Sequence, residues 1–149
     1  MNKDQINELF FYKEGKLFWK KSGTGRNLLQ DAGYTNQQGY RCIFINKKLL
    51  KTHRLIYILH HGNIPNGLQI DHIDRDKSNN KIENLRLATY QQNNQNRDCL
   101  GISWSERHKK WRAKIYVDRK FICLKYHSTV IDARAAYLKA RKNLFKEFA

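Results

Sequence analysis

From Gly101 to Ser128 the chain reads "GISWSERHKKWRAKIYVDRKFICLKYHS", and its alternation of apolar and polar side chains admits little besides β-structure. Trp111, Ala113, Ile115 and Val117 fall on one face of an extended chain, and Arg112, Lys114 and Tyr116 on the other. Ile122, Leu124 and Tyr126 likewise alternate with Phe121, Cys123 and Lys125. Three antiparallel strands are expected, turning near Glu106–Lys110 and at Asp118-Arg119. The period then changes. "STVIDARAAYLKARKNLFKEFA" predicts a helix that opens on a Thr129/Asp132 capping pair. Ala133, Ala136, Tyr137, Ala140 and Leu144 form its apolar stripe, and the small alanines would let it lie close on the sheet.

Residues 1–98 are organised differently. A short helix over Lys3 to Leu9 is followed by a hairpin turning at Glu14-Gly15 and a second turning near Asn46-Lys47. "RLIYILHHG" predicts a short helix stopped by Gly62. Ile64-Pro65-Asn66-Gly67 fits a type I turn that leads into the strand "LQIDHI". "LRLA" is a second strand, and Thr89 with Gln92 starts another helix by a capping box. Two domains are therefore expected, 1–98 and 99–149, both within an α+β class.

Charge narrows the partners. Twenty-nine Lys and Arg against 13 Asp and Glu give +16 on 149 residues, which points to a polyanion. No apolar run approaches the roughly 18 residues that a membrane helix needs, so nucleic acid is preferred to a membrane. The N-terminus lacks a signal peptide's apolar core, and a cytoplasmic location is expected. Cys42, Cys99 and Cys123 are far apart, which argues against a disulfide framework or a cysteine zinc site.

The chemistry concentrates in "QIDHIDRDKSNNKIENLRLATYQQNNQN", Gln69 to Asn96. Asp74, Asp76 and Ser78 imitate the start of an EF-hand loop, but Asn79 and Leu85 stand where that loop needs Gly and Glu, so calcium is rejected. From His72 the spacing to Asn84 is twelve residues, and to Asn93 nine more. With the "HR" of His53-Arg54, the "PNGLQIDHID" lead-in and "NN…ENLR", this pattern resembles the HNH nucleases of the ββα-metal fold, especially homing endonucleases of phages and mobile introns. The resemblance covers most of residues 10–97 and implies a metal-dependent DNA endonuclease leaving 5′-phosphate and 3′-hydroxyl ends. It assigns His72 as general base, a task suited to an imidazole near neutral pH. It assigns Asp71 and Asn93 as ligands of Mg²⁺, with Mn²⁺ as a substitute, and Asn84 as a brace for the loop. Asn94 stands beside Asn93 and is the alternative ligand. Because neighbouring side chains on a strand face opposite ways, Asp71 and His72 can serve one site only if the strand twists or is approached at its edge. His53 is read as a buried, structural histidine.

Residues 99–149 resemble a second family, the DNA-binding domain of plant ethylene-response factors, through "GISW", "KWRAKI", "KFICLKY" and "ARAAYLKA". That resemblance places a three-stranded sheet in the major groove and makes Arg112, Lys114, Tyr116, Lys125 and the turn residue Arg119 DNA contacts. Trp104 and Trp111 are expected to pack. Lys16, Lys20 and Arg26 of the first hairpin region are further candidate contacts. Double-stranded DNA is thus the expected partner, with a monomer favoured over an oligomer. A DNA-binding regulator on an inactive nuclease scaffold is the alternative, and a nucleic-acid packager a weaker one.

Overall fold

The computed structural model describes residues 1–96, 100–118 and 120–146. The chain divides into two compact units, Met1–Asn93 and Asn94–Ala149. The expected boundary at 98/99 lies outside the described residues.

In the first unit, Asn2 caps helix α1 (Lys3–Leu9) through a reciprocal box with Gln5. Strands β1 (Phe10–Lys13) and β2 (Lys16–Trp19) follow as an antiparallel hairpin, with Phe10 opposite Trp19. A second, three-stranded sheet has the order β3 (Tyr34–Thr35), β4 (Arg41–Ile45), β5 (Lys48–Lys51). Helix α2 (Thr52–His61) ends at Gly62, whose N–H donates to the Ile58 carbonyl at 2.8 Å. Ile6, Phe10, Leu17, Ile43, Ile56, Ile70 and Leu85 share one buried cluster. Each such side chain contributes roughly 1.5–3 kcal/mol on burial.

The turn before the next strand differs in type from the expected one. Leu68 N–H donates to Pro65 O, and Gly67 takes φ +81° at the third position. That geometry belongs to a type II turn and favours glycine there. Strands β6 (Leu68–His72) and β7 (Leu85–Thr89) then pair antiparallel, with His72 opposite Leu85. Helix α3 (Tyr90–Gln95) opens as expected: Gln92 N–H donates to Thr89 Oγ1, and Thr89 N–H to Gln92 Oε1. Residues 68–95 are thus a ββα unit.

In the second unit, β8 (Ile102–Ser105), β9 (Lys110–Val117) and β10 (Lys120–His127) form an antiparallel sheet with β9 central, packed on helix α4 (Val130–Phe145). Ala113, Ile115, Ala133 and Tyr137 are its buried centre. Gly101 passes so close beneath Tyr137 that any side chain there would strike the ring. Trp104 and Trp111 pack edge to face across strands, 5.5 Å apart. Two details depart from the expected pattern. Leu144 is half exposed, and Phe145 packs against the cluster in its place. A bulge between Cys123 and Lys125 also breaks the alternation, so Lys125 lies opposite Ala113 and Tyr126 opposite Arg112. Tyr126, not Lys125, therefore shares the face of Arg112 and Lys114.

Among the described residues, no helix is long and apolar enough to cross a membrane.

Candidate active site

The loop between β6 and β7 is closed by its own side chains. Asn84 Nδ2 donates to Asp74 Oδ1 at 2.9 Å and to the Asn79 carbonyl at 2.8 Å, while its Oδ1 accepts from Asp74 N–H at 3.0 Å. Asn79 donates to the other oxygen of Asp74. Asp76 accepts from the N–H and hydroxyl of Ser78. Burial alone would push the Asp74 carboxyl up, but the bonds from Asn79, Asn84 and Asp76 N–H together hold it below its usual range. Asn84 thus fastens a loop that begins one residue after His72.

Asp71 and His72 end β6, and both are buried. Arg86, directly across the hairpin, donates from Nε to Asp71 Oδ2 at 2.9 Å. His72 Nε2 lies 2.9 Å from Oδ1 of Asn80, itself only 2% exposed. The His53 ring meets the His72 ring edge-on, 4.9 Å between centroids, with Tyr40 5.4 Å from His53. His53 is buried as expected, yet its Nδ1 has no hydrogen-bond partner. Its pKa falls to about 3, first because burial penalises the charged ring and then through His72, Lys51 and Arg54. His53 is therefore a neutral wall beside His72.

Asn93 donates from Nδ2 to Gln69 Oε1 at 2.7 Å. Gln69 and Asp71 are two apart on β6 and share a strand face, so the α3 amide and the Asp71 carboxylate belong to one side of the hairpin. His72, next in sequence, is held by Asn80 and His53 instead. Among the described residues, no group of three or more His, Cys, Asp and Glu could hold a metal. The Asp71 carboxylate and the Asn93 side-chain oxygen would offer oxygen donors, a type that suits a hard cation such as Mg²⁺ better than zinc.

The candidate DNA-contacting cations make contacts of several kinds within their own units. Lys16 pairs with Asp31 at 3.5 Å, Lys20 donates to Asn7 O at 2.6 Å, and the Arg26 guanidinium lies 4.9 Å over Trp19. All three are engaged within the first unit. On the outer sheet face, Arg112, Lys114, Phe121 and Cys123 line a shallow hollow beside exposed Tyr116. Arg119 lies outside the described residues. Lys51 and Lys77 both stand over the Tyr40 ring, at 4.0 and 4.9 Å.

Sequence reasoning passed over Asn80, Arg86, Lys51 and Lys77. Asn80 belongs to the "NN" of the motif, so a signal was present; nothing in the sequence said which amide would turn inward.

Residues 50–95 match the HNH endonuclease family. Over 120 residues the chain is 32% identical to an uncharacterized HNH endonuclease of Acanthamoeba polyphaga mimivirus, covering 78% of this chain and 64% of that one. Over 110 residues it is 28% identical to protein 3.8 of Escherichia phage T7, covering 68% of this chain and 90% of the relative. A solved structure of DNA binding and cleavage by the HNH homing endonuclease I-HmuI aligns over 64% of this chain and 55% of its own, with 25% identity and a TM-score of 0.49. The chain thus spans just under two thirds of the mimivirus relative. An HNH-type module of the ββα-metal kind lies in residues 50–95, and the family match ends before the C-terminal sheet.

Proposed function

We propose that this protein is a metal-dependent DNA endonuclease of the homing type, cutting a phosphodiester to a 5′-phosphate and a 3′-hydroxyl at a preferred site. The observation that carries this reading is the Asp71-His72 pair. It ends β6 within the segment that matches the HNH family, and each member is buried and separately gripped, Asp71 by Arg86 and His72 by Asn80.

His72 takes a proton from the attacking water. The resulting hydroxide oxygen bonds to phosphorus, the bond from phosphorus to the 3′ oxygen breaks, and that oxygen takes a proton from solvent to become the 3′-hydroxyl. Asp71 and the Asn93 carbonyl would hold Mg²⁺, or Mn²⁺ in its place. Bound there, a hard divalent cation supplies Lewis acidity to the phosphate and the leaving oxygen. Asn84 holds the loop so that His72 keeps its place. Arg86 neutralises the buried Asp71 carboxylate, which otherwise would be costly to keep ionised.

Double-stranded DNA is the proposed substrate. Lys51 and Lys77, two cations on one tyrosine ring near His72, suit a passing phosphate backbone. The outer face of the C-terminal sheet, with Arg112, Lys114 and Tyr116, is the proposed reader of sequence, in keeping with the resemblance to ethylene-response-factor domains. Arg119 would add a phosphate contact, whereas Lys125 lies opposite Ala113, off that face.

Plasmid incubated with the protein in Mg²⁺ or in EDTA tests the reading. Nicked or linear product should form only with Mg²⁺, and His72→Ala should lose it by roughly 10²–10⁴-fold with DNA affinity nearly intact. Tight binding without cleavage in any metal would leave a DNA-binding regulator instead.

A further inference from the structure

We propose that Asn80 is a positioning residue that fixes the tautomer of His72, so that Nε2 carries the proton and Nδ1 is the basic nitrogen. The inference rests on the function proposed above. Its geometric core is the 2.9 Å contact between His72 Nε2 and Asn80 Oδ1. An amide oxygen only accepts, so with the amide in this orientation the ring nitrogen facing it donates. Both side chains are buried, which leaves little water to take over Asn80's part.

The surroundings hold Asn80 there. Its N–H donates to the Ser78 carbonyl at 3.1 Å. The β1–β2 turn presses on the next peptide: a Cβ on Gly15 would come within 2.8 Å of Lys81 N and 3.1 Å of Asn80 C. Ile82 N–H donates to Tyr12 Oη at 3.1 Å. The N-terminal hairpin therefore supports the segment that carries Asn80. On the ring itself, His53 lies edge-on at 4.9 Å and restricts rotation.

Asn80 also bears a cost. Its Nδ2 is buried with no partner, and an unmade buried donor is destabilising. An aliphatic side chain of similar size would avoid that loss. An oxygen that sets the tautomer of a base explains why an amide stands there.

The test is a long-range ¹⁵N–¹H histidine spectrum of the full-length protein, recorded about two units above the ordinary imidazole pKa of roughly 6.5. His72 is assigned by its disappearance in His72→Gln. The expected pattern is a single tautomer protonated on Nε2. Asn80→Asp, whose ionised carboxylate only accepts, should keep that pattern. Asn80→Ala should mix the tautomers and slow single-turnover cleavage roughly 10–100-fold at unchanged DNA affinity. A wild-type ring protonated on Nδ1 would overturn the proposal, as would Asn80→Ala protein that keeps both pattern and rate. If Asn80→Ala does not fold, the wild-type and Asn80→Asp spectra decide. Full-rate cleavage by His72→Ala would instead remove the proposed function and leave the tautomer result standing, so the two failures are distinct.

Discussion

His53 shows how a single side chain can link packing to pH. Its ring is 4% exposed and its pKa falls from 6.5 to about 3, through burial first and the neighbouring His72, Lys51 and Arg54 next. A depressed folded pKa means that the unfolded chain binds the extra proton in between. Stability from keeping His53 neutral is therefore fully present above about pH 6.5 and drains away as pH falls toward the folded value. The whole window is worth on the order of 5 kcal/mol. Melting temperatures between pH 7.5 and 4.5 should fall more steeply for wild type than for His53→Gln. Parallel curves would show that His53 is not the acid-sensitive group. At this scale the sequence was half legible. The resemblance carried by the motif singled out Asp71, His72, Asn84 and Asn93, and in the structure Asn84 bonds to Asp74 and to the Asn79 carbonyl. It did not disclose that His53 abuts His72, because that contact depends on α2 packing near the end of β6. Nor did it single out Arg86, whose role comes only from register across the hairpin.

Elements were read best where a local rule sufficed. The capping boxes at Asn2 and Thr89 and the Gly62 stop all follow from chemistry within a few residues, although only the latter two were foreseen. Register was harder. The bulge at Cys123–Lys125 changes which side chain faces outward, and no local residue signals it. The β1–β2 turn carries a further demand invisible in a turn motif. Gly15 has φ +80° and sits against the Lys81 backbone. Gly15→Ala should therefore suffer twice, from a left-handed backbone costing roughly 1–2 kcal/mol and from a clash that must push residues 80–81 away. Denaturant unfolding should show a lower midpoint at an unchanged slope. Cleavage at saturating DNA should also fall, since Asn80 moves with the displaced segment. A variant as stable and as active as wild type would mean that the hairpin does not support the loop.

Across the whole chain, charge is spread unevenly in a way that bears on function. Residues 99–149 hold eight lysines and five arginines against four acidic residues, a net +9 of the total +16. The outer sheet face there combines Arg112 and Lys114 with exposed Tyr116 and Phe121. In the first unit, Lys16, Lys20 and Arg26 contact Asp31, Asn7 and Trp19, while Lys51 and Lys77 lie over Tyr40 near the candidate base, with Lys77 also donating to Gln38 O. If the sheet reads DNA while the first unit cuts it, two pairs of full-length variants should separate these jobs. Arg112→Gln with Lys114→Gln should weaken binding and flatten its dependence on salt, by roughly 0.9 in log–log slope for each phosphate no longer neutralised. Its cleavage rate at saturating DNA should match wild type. Any base that Arg112 reads should also lose about 1–3 kcal/mol of preference, seen by comparing the mapped site with random duplex. Lys51→Ala with Lys77→Ala should instead lower the saturated rate if, as proposed, both cations meet the phosphates beside His72. The decisive comparison is rate against affinity in both pairs at several salt concentrations. Unchanged affinity and site preference in the sheet pair would move recognition into the first unit.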